Sequence, residues 1–183
     1  MTSRRFHTEG RPIESIHIGG VHASSTPVVI RTILGSCISV CLRDPISKVG
    51  GMNHFMLPEG RENSLICTSY GVHAMELLIN QCMQMGADRR NLEAKVFGGG
   101  HVLRTRETQD SVPKSNIRFA KSFLLTERIP IISDNVGGYA AREVLFFSDT
   151  GKALIRKLAE TGIDESLPLV IEPEREDSNV TLF

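Results

Sequence analysis

The chain is 183 residues long, enough for a sizeable apolar core and most simply one domain. Its 21 basic and 21 acidic residues cancel and it has no tryptophan, which argues against a nucleic-acid binder, a base-stacking platform or a protein drawn to acidic membranes. No apolar run approaches membrane-span length, and residues 1–10 lack the apolar core of a signal peptide, so the cytoplasm is the expected compartment, without direct membrane insertion.

In chain order, residues 1–12 are polar and read as a flexible N-terminal segment. Ile13 to Val21 and Pro27 to Leu34 read as strands, the second rich in β-branched residues. An apolar segment from Ile38 to Leu42, the turn residues Asp44-Pro45-Ile46-Ser47 and a second apolar segment from Val49 predict an antiparallel hairpin, ended by Pro58-Glu59-Gly60. Residues 59–68 read as a polar loop. Val72, Met75, Leu78, Ile79, Cys82 and Met83 form a helical stripe over Tyr70 to Met85, closed by Gly86. Leu92 to Phe97 is a predicted strand running into Gly98-Gly99-Gly100, and His101 to Ser115 a loop or lid. Asn116 is read as the cap of a second helix over Ile117 to Glu127, followed by a short strand at Ile129 to Ile132. Arg142 to Phe147, the turn Ser148-Asp149-Thr150-Gly151 and Lys152 to Leu158 make a closing hairpin. The expected division is a segment 1–12, a domain 13–165 and a charged, mobile tail 166–183. Strand hairpins separated by two helices predict an α+β fold rather than a doubly wound parallel sheet.

The cysteines are Cys37, Cys41, Cys67 and Cys82, too few for a disulfide scaffold. Cys37 and Cys41 lie about 13 Å apart along a strand and cannot bridge there. No Cys-x-x-Cys and no close histidine pair supports a metal, and Cys82 reads as a small core residue. His7, His17 and His22 carry no spacing signal. A cysteine in such a run is more often buried packing than a nucleophile. Cys37, however, follows Gly35-Ser36 at the mouth of a strand. A hairpin folded about the centre of Asp44-Pro45-Ile46-Ser47 sets it opposite His54, with Cβ atoms about 5 Å apart. On that scale an imidazole can take a thiol proton. A bulge at Gly50 or Gly51 would shift this register. Gly98-Gly99-Gly100 lacks the Lys-Ser/Thr of a nucleotide loop and reads as a turn permitting close backbone approach.

The run Leu34-Gly35-Ser36-Cys37-Ile38-Ser39-Val40-Cys41-Leu42-Arg43-Asp44-Pro45, with Gly50-Gly51-Met52-Asn53-His54 and Met56-Leu57-Pro58, resembles CheD, the chemoreceptor glutamine deamidase of bacterial and archaeal chemotaxis. The likeness continues at Leu92 to Gly99, Asp134-Asn135-Val136-Gly137-Gly138, Arg142 and Asp149-Thr150-Gly151-Lys152, so that it spans roughly residues 13 to 160. The resemblance implies a single-domain, three-layer α/β/β sandwich. It implies a hydrolase that converts glutamines of chemoreceptor cytoplasmic helices to glutamate through a cysteine thioester, without a cofactor or metal. Cys37 would be the nucleophile, and His54 the base and then the acid. The family's third member is a threonine six residues before the cysteine. That position is Arg31 here, and Thr32 lies one residue nearer, on the opposite strand face. Thr32 is therefore either the orienting group, given a compensating register shift, or an ordinary strand threonine. A second departure falls at Ile117-Arg118-Phe119-Ala120-Lys121. The implied partners are chemoreceptor helices and, where present, the phosphatase CheC. The rival readings are a non-catalytic adaptor for receptor or CheC, favoured by Arg31, and a thiol protease sharing a Cys–His pair.

Overall fold

The computed structural model describes residues 8–57, 65–102, 111–158 and 180–183. Among them, ten strands form two five-stranded sheets. The first sheet contains β1 (Ile13–Ser15), β3 (Val29–Leu34), β8 (Arg142–Phe147), β9 (Ala153–Lys157) and β10 (Val180–Leu182), side by side in that order. The second runs β2 (Val21–Ser24), β5 (Gly50–Asn53), β4 (Ile38–Arg43), β6 (Glu93–Gly98), β7 (Ile131–Val136). Both sheets are mixed, because β1 pairs parallel with β3 and β6 parallel with β7. Helices α1 (Leu65–Gln84) and α2 (Val112–Thr126) cover the outer face of the second sheet, giving the expected three-layer α/β/β sandwich.

Period-2 alternation assigns the two cores. Val40, Leu42, Ala94 and Val96 face the helices with Met75, Leu78, Ile79 and Cys82 of α1 and Ala120 and Leu124 of α2. Cys41, Met52 and Phe97 face the other way and meet Ile30, Leu34, Val144, Phe146 and Ile155 between the sheets. β8 is buried along its whole length as the central strand of its sheet.

Several expectations need correction. The strand expected over Ile13 to Val21 is two strands in different sheets, because Gly19, at φ 80°, turns the chain from β1 across to β2. Helix α1 begins at Leu65, so the end of the expected loop 59–68 is helical, while residues 58–64 lie outside the described residues. Val72 and Met83 of the predicted stripe are exposed, and the Cys67 side chain is not among those described. Helix α2 starts at Val112 behind Ser111, with Pro113 in its first turn, so Asn116 is inside the helix rather than its cap. β7 extends to Val136, beyond the short strand expected to end at Ile132.

Residues 1–7 and 159–179 are not described, but the neighbouring parts of both expected loose ends are held. Arg11 grips Asp149 through two nitrogens at 3.0 and 2.8 Å. β10 pairs antiparallel with β9, and the Phe183 ring meets Phe97 edge-on at 6.3 Å.

The β4–β5 register is the consequential difference. Cys41 pairs with Met52, Leu42 with Gly51 and Arg43 with Gly50, and an isolated bridge joins Ile38 to Phe55. The loop is two residues longer than a turn centred on Pro45-Ile46. A two-residue hairpin turn of the favoured kind needs positive φ at its centre, and proline holds φ near about −65°. The chain instead closes between Asp44 and Val49 (N to O, 2.9 Å), with the Asp44 carboxylate accepting from Ile46 and Ser47 N–H and Lys48 at φ 61°. A two-residue slip preserves faces, so Cys37 and His54 still point into the same layer. The residue across from Cys37 becomes Met56.

At Gly50 the strand runs against the backbone of Ser148, and an added Cβ would lie 2.8 Å from the Ser148 Cα and 2.9 Å from its carbonyl carbon. Gly50→Ala is expected to lower the unfolding free energy by about 1–3 kcal/mol in urea titration, as overpacking against backbone does. An unchanged midpoint would contradict this close approach.

Candidate active site

Cys37 ends the Gly35-Ser36-Cys37 turn that carries the chain from β3 in one sheet to β4 in the other. Two glycines of the segment after β6 hold that turn: Gly99 N–H donates to the Cys37 carbonyl at 2.6 Å and Gly100 N–H to the Gly35 carbonyl at 2.7 Å. Behind them lies the buried Arg142, whose guanidinium donates to the carbonyls of Asn135 and Gly137. The backbone of His54 is fixed by the β1–β2 connection, donating to Gly20 O at 2.9 Å and accepting from Gly19 N–H at 2.7 Å.

Thr32 projects from β3 between the sheets and places its hydroxyl 2.8 Å from His54 Nδ1. The same hydroxyl donates to Ile16 O at 2.9 Å. A hydroxyl has one proton, and a carbonyl can only accept. The arrangement satisfying both contacts gives that proton to Ile16 O and makes Oγ1 the acceptor of Nδ1–H. His54 is then the Nδ1–H tautomer, with its lone pair on Nε2. Nε2 is buried and has no hydrogen-bond partner among the described residues. Arg31 points to the opposite face of its sheet, where it pairs with Glu143 at 2.5 Å, and Arg156 donates to the same buried carboxylate at 3.1 Å.

Cys37 and His54 are therefore in one layer but not hydrogen-bonded. The thiol lies 3.9 Å from Met56 Sδ, which Ser36 Oγ also approaches at 3.9 Å. Burial pushes the Cys37 thiol above its ordinary value, opposed by its own backbone N–H directed at the sulfur. Burial, with His17 nearby, holds the His54 imidazole down to about 4. In the free protein both groups are neutral around pH 7.

The sequence did not reveal Ile16, which acts through a carbonyl, or His17, whose loop turns back over His54. Met56 was legible in principle, since Asp44-Pro45 at the head of the turn favours the longer loop. Asn116, read as a cap, instead donates to Ser36 O and accepts from Leu57 N–H, both at 2.8 Å. His101 packs edge-on against Tyr139 at 6.4 Å.

Comparison with known proteins gives the family. The family described as "CheD chemotactic sensory transduction" matches residues 56–157. The "Probable chemoreceptor glutamine deamidase CheD 2" of Chromobacterium violaceum is 44% identical over 167 residues, covering 88% of this chain and 83% of that one. The chain belongs to the CheD family. Other CheD relatives are the "Probable chemoreceptor glutamine deamidase CheD" of Thiobacillus denitrificans, 45% identical over 78% of this chain and 72% of that one, and that of Methylobacillus flagellatus, 44% identical with the same coverages. The crystal structure of a Bacillus licheniformis hypothetical protein, YfiH, aligns at a TM-score of 0.39 with 13% identity, over 63% of this chain and 49% of that one. That likeness is too partial to bear on the chemistry of a CheD protein.

The buried, neutral His54 is expected to make the fold acid-sensitive. Its folded pKa of about 4 lies below the ordinary imidazole value of 6.5, so the unfolded chain binds the extra proton more readily. Its contribution to stability is full above about pH 6.5 and is lost as pH falls towards 4. The denaturation midpoint should drop between these limits, and His54→Asn should flatten that slope. A variant with the wild-type slope would contradict the buried neutral imidazole.

Proposed function

We propose that this chain is a protein-glutamine deamidase, a cysteine hydrolase that converts glutamines on chemoreceptor cytoplasmic helices to glutamate during chemotactic adaptation. The observation that carries the reading is a buried Nε2, unpartnered among the described residues, on a histidine whose other nitrogen is engaged by Thr32, in the same layer as the half-buried thiol of Cys37. A fixed tautomer with a free lone pair is what a general base requires.

In this mechanism the receptor glutamine brings its carboxamide to Cys37, and the thiol leaves Met56 to reach His54. Nε2 takes the thiol proton as sulfur bonds to the amide carbon. The backbone N–H of Cys37, already aimed at its own sulfur, donates to the developing oxyanion. The imidazolium returns the proton to the departing nitrogen, ammonia leaves, and a thioester joins Cys37 to the receptor. His54 then deprotonates a water that attacks the thioester carbonyl. Glutamate is released and the thiolate recovers its proton. Thr32 keeps the ring in one orientation throughout, and its hydroxyl is best placed to stabilise the imidazolium stage. The chain's own residues supply nucleophile, base and acid.

Arg31, which favoured the adaptor reading, is occupied by Glu143 on the outer sheet face, and Thr32 stands at the histidine instead. Both observations support the enzyme. A cytoplasmic site follows from the substrate, since the receptor helices concerned are cytoplasmic. Where CheC is present, it would compete for the same receptor-binding surface.

The test is mass spectrometry of a receptor cytoplasmic fragment after incubation, which distinguishes amide-to-acid conversion from chain cleavage. Cys37→Ala should abolish conversion while Cys41→Ala and Cys82→Ala, at fully buried positions whose thiols are held protonated, should retain it. His54→Asn should cost on the order of 10² to 10⁴ in rate. Thr32→Val removes the hydroxyl's bonds to Ile16 O and to His54; the bond to His54, worth about 0.5–1.5 kcal/mol, is the one that acts on the ring, and its loss should slow conversion several-fold to about tenfold. Conversion by Cys37→Ala at the wild-type rate would reject the assignment.

A further inference from the structure

We propose that Asn116 is a positioning residue for the Cys37–His54 pair, its buried carboxamide setting the separation between the nucleophile turn and the segment that leaves His54. Asn116 has no exposed surface and sits in the second turn of α2, well inside the helix. Its Nδ2 donates to the carbonyl of Ser36, the residue before Cys37, and its Oδ1 accepts from the N–H of Leu57, three residues beyond His54, each at 2.8 Å. Ser36 and Leu57 lie outside the strands, where no ladder fixes them.

Between the two segments the sheet supplies the Ile38–Phe55 bridge, with N to O distances of 2.9 and 3.0 Å, backed by Ser39 Oγ donating to Asn53 O and Val40 N–H to Asn53 Oδ1. Beyond that bridge, on the Cys37 side, the Asn116 carboxamide joins Ser36 to Leu57. Cys37 is thus held between two attachments, and the outer one sets how far its turn stands from the segment that leaves His54. The same helix reinforces each side. Phe119, one turn along, meets Phe55 edge-on at 6.1 Å. The Ile117 side chain and Pro113 carbonyl close over the open face of Gly99, whose N–H holds the Cys37 carbonyl. A carboxamide suits the position because it offers a donor and an acceptor side by side without charge. A misplacement of about 1 Å between reacting groups can cost on the order of 10²-fold in rate, which sets the expected size of the effect.

The inference rests on the deamidase reading, and the test separates the two. Asn116→Asp keeps the acceptor for Leu57 N–H but, while ionised, loses the donor to Ser36 O. Once protonated, the carboxylic acid restores both, and burial lifts its pKa above the usual value of about 3.9. With a receptor fragment, kcat of Asn116→Asp should be about 10²-fold below wild type at about pH 8. The ratio should recover as pH is lowered to about 5.5, a range in which His54 stays neutral. KM should change by less than about threefold, and Asn116→Leu should show no recovery. A ratio that does not change with pH, or a loss confined to KM, overturns the proposal. So does a kcat for folded Asn116→Leu within about threefold of wild type. If Asn116→Leu does not fold, the pH ratio of Asn116→Asp decides alone. Melting curves at each pH correct every rate for the folded fraction.

If wild type itself deamidates nothing, the functional reading fails while the geometry is still tested by iodoacetamide, a small primary carboxamide. His54→Asn should then slow Cys37 labelling in the Asn116 protein and have no effect in the Asn116→Asp background at about pH 8. Equal slowing in both backgrounds overturns the positioning role.

Discussion

The hydrogen bond between Thr32 and His54 is the constraint on which the site depends. Thr32 belongs to one sheet and His54 leaves a strand of the other, so this 2.8 Å contact is also a strut across the sandwich. It forms only because three features of the fold agree. The Gly19 turn carries the chain from one sheet to the other and leaves the Ile16 carbonyl beside the threonine. β3 presents Thr32 inward and Arg31 outward. The β4–β5 loop sets how far along its strand His54 lies. Removing any of these would leave a buried polar group without a partner, which costs more than the bond gains.

The same burial governs the chemistry. Taking the imidazole out of water holds its pKa to about 4, and taking the thiol partly out of water raises that of Cys37. Both shifts disfavour a resting thiolate–imidazolium pair. The free protein is thus poised rather than charged, with the sulfur against Met56 and the base unpartnered. Such a neutral thiol is a poor target for stray electrophiles and oxidants, because the thiolate is the reactive form. In the proposed mechanism, a substrate that brought sulfur and nitrogen together would let proton transfer accompany bond formation, with the charge pair stabilised in a site of low dielectric.

Much of the architecture was legible because it follows from local rules. Apolar and β-branched runs marked β3, β4 and β6, a turn marked the β8–β9 hairpin, and the Met75–Cys82 stripe marked α1. That Cys37 and His54 share one layer was legible from a turn and two strands. The errors share a cause: each depended on a backbone angle or a partner distant in sequence. Pro45 forbids the tight turn that would set Cys37 directly across from His54, and the register moved by two residues. Gly19 divided one apparent strand between two sheets. Thr32 could not be chosen over Arg31 from spacing, because which face of β3 looks inward is decided by how β3 pairs with β8. The carbonyl of Ile16 has no sequence signature at all.

The account stands most directly on the tautomer of one ring. Nitrogen-15 NMR of the His54 imidazole, in protein labelled at histidine and kept at neutral pH without substrate, reads which nitrogen carries the proton. The account predicts a neutral ring protonated at Nδ1 and unprotonated at Nε2, changing when Thr32 is replaced by valine. A ring protonated at Nε2, or an imidazolium at neutral pH, would contradict it.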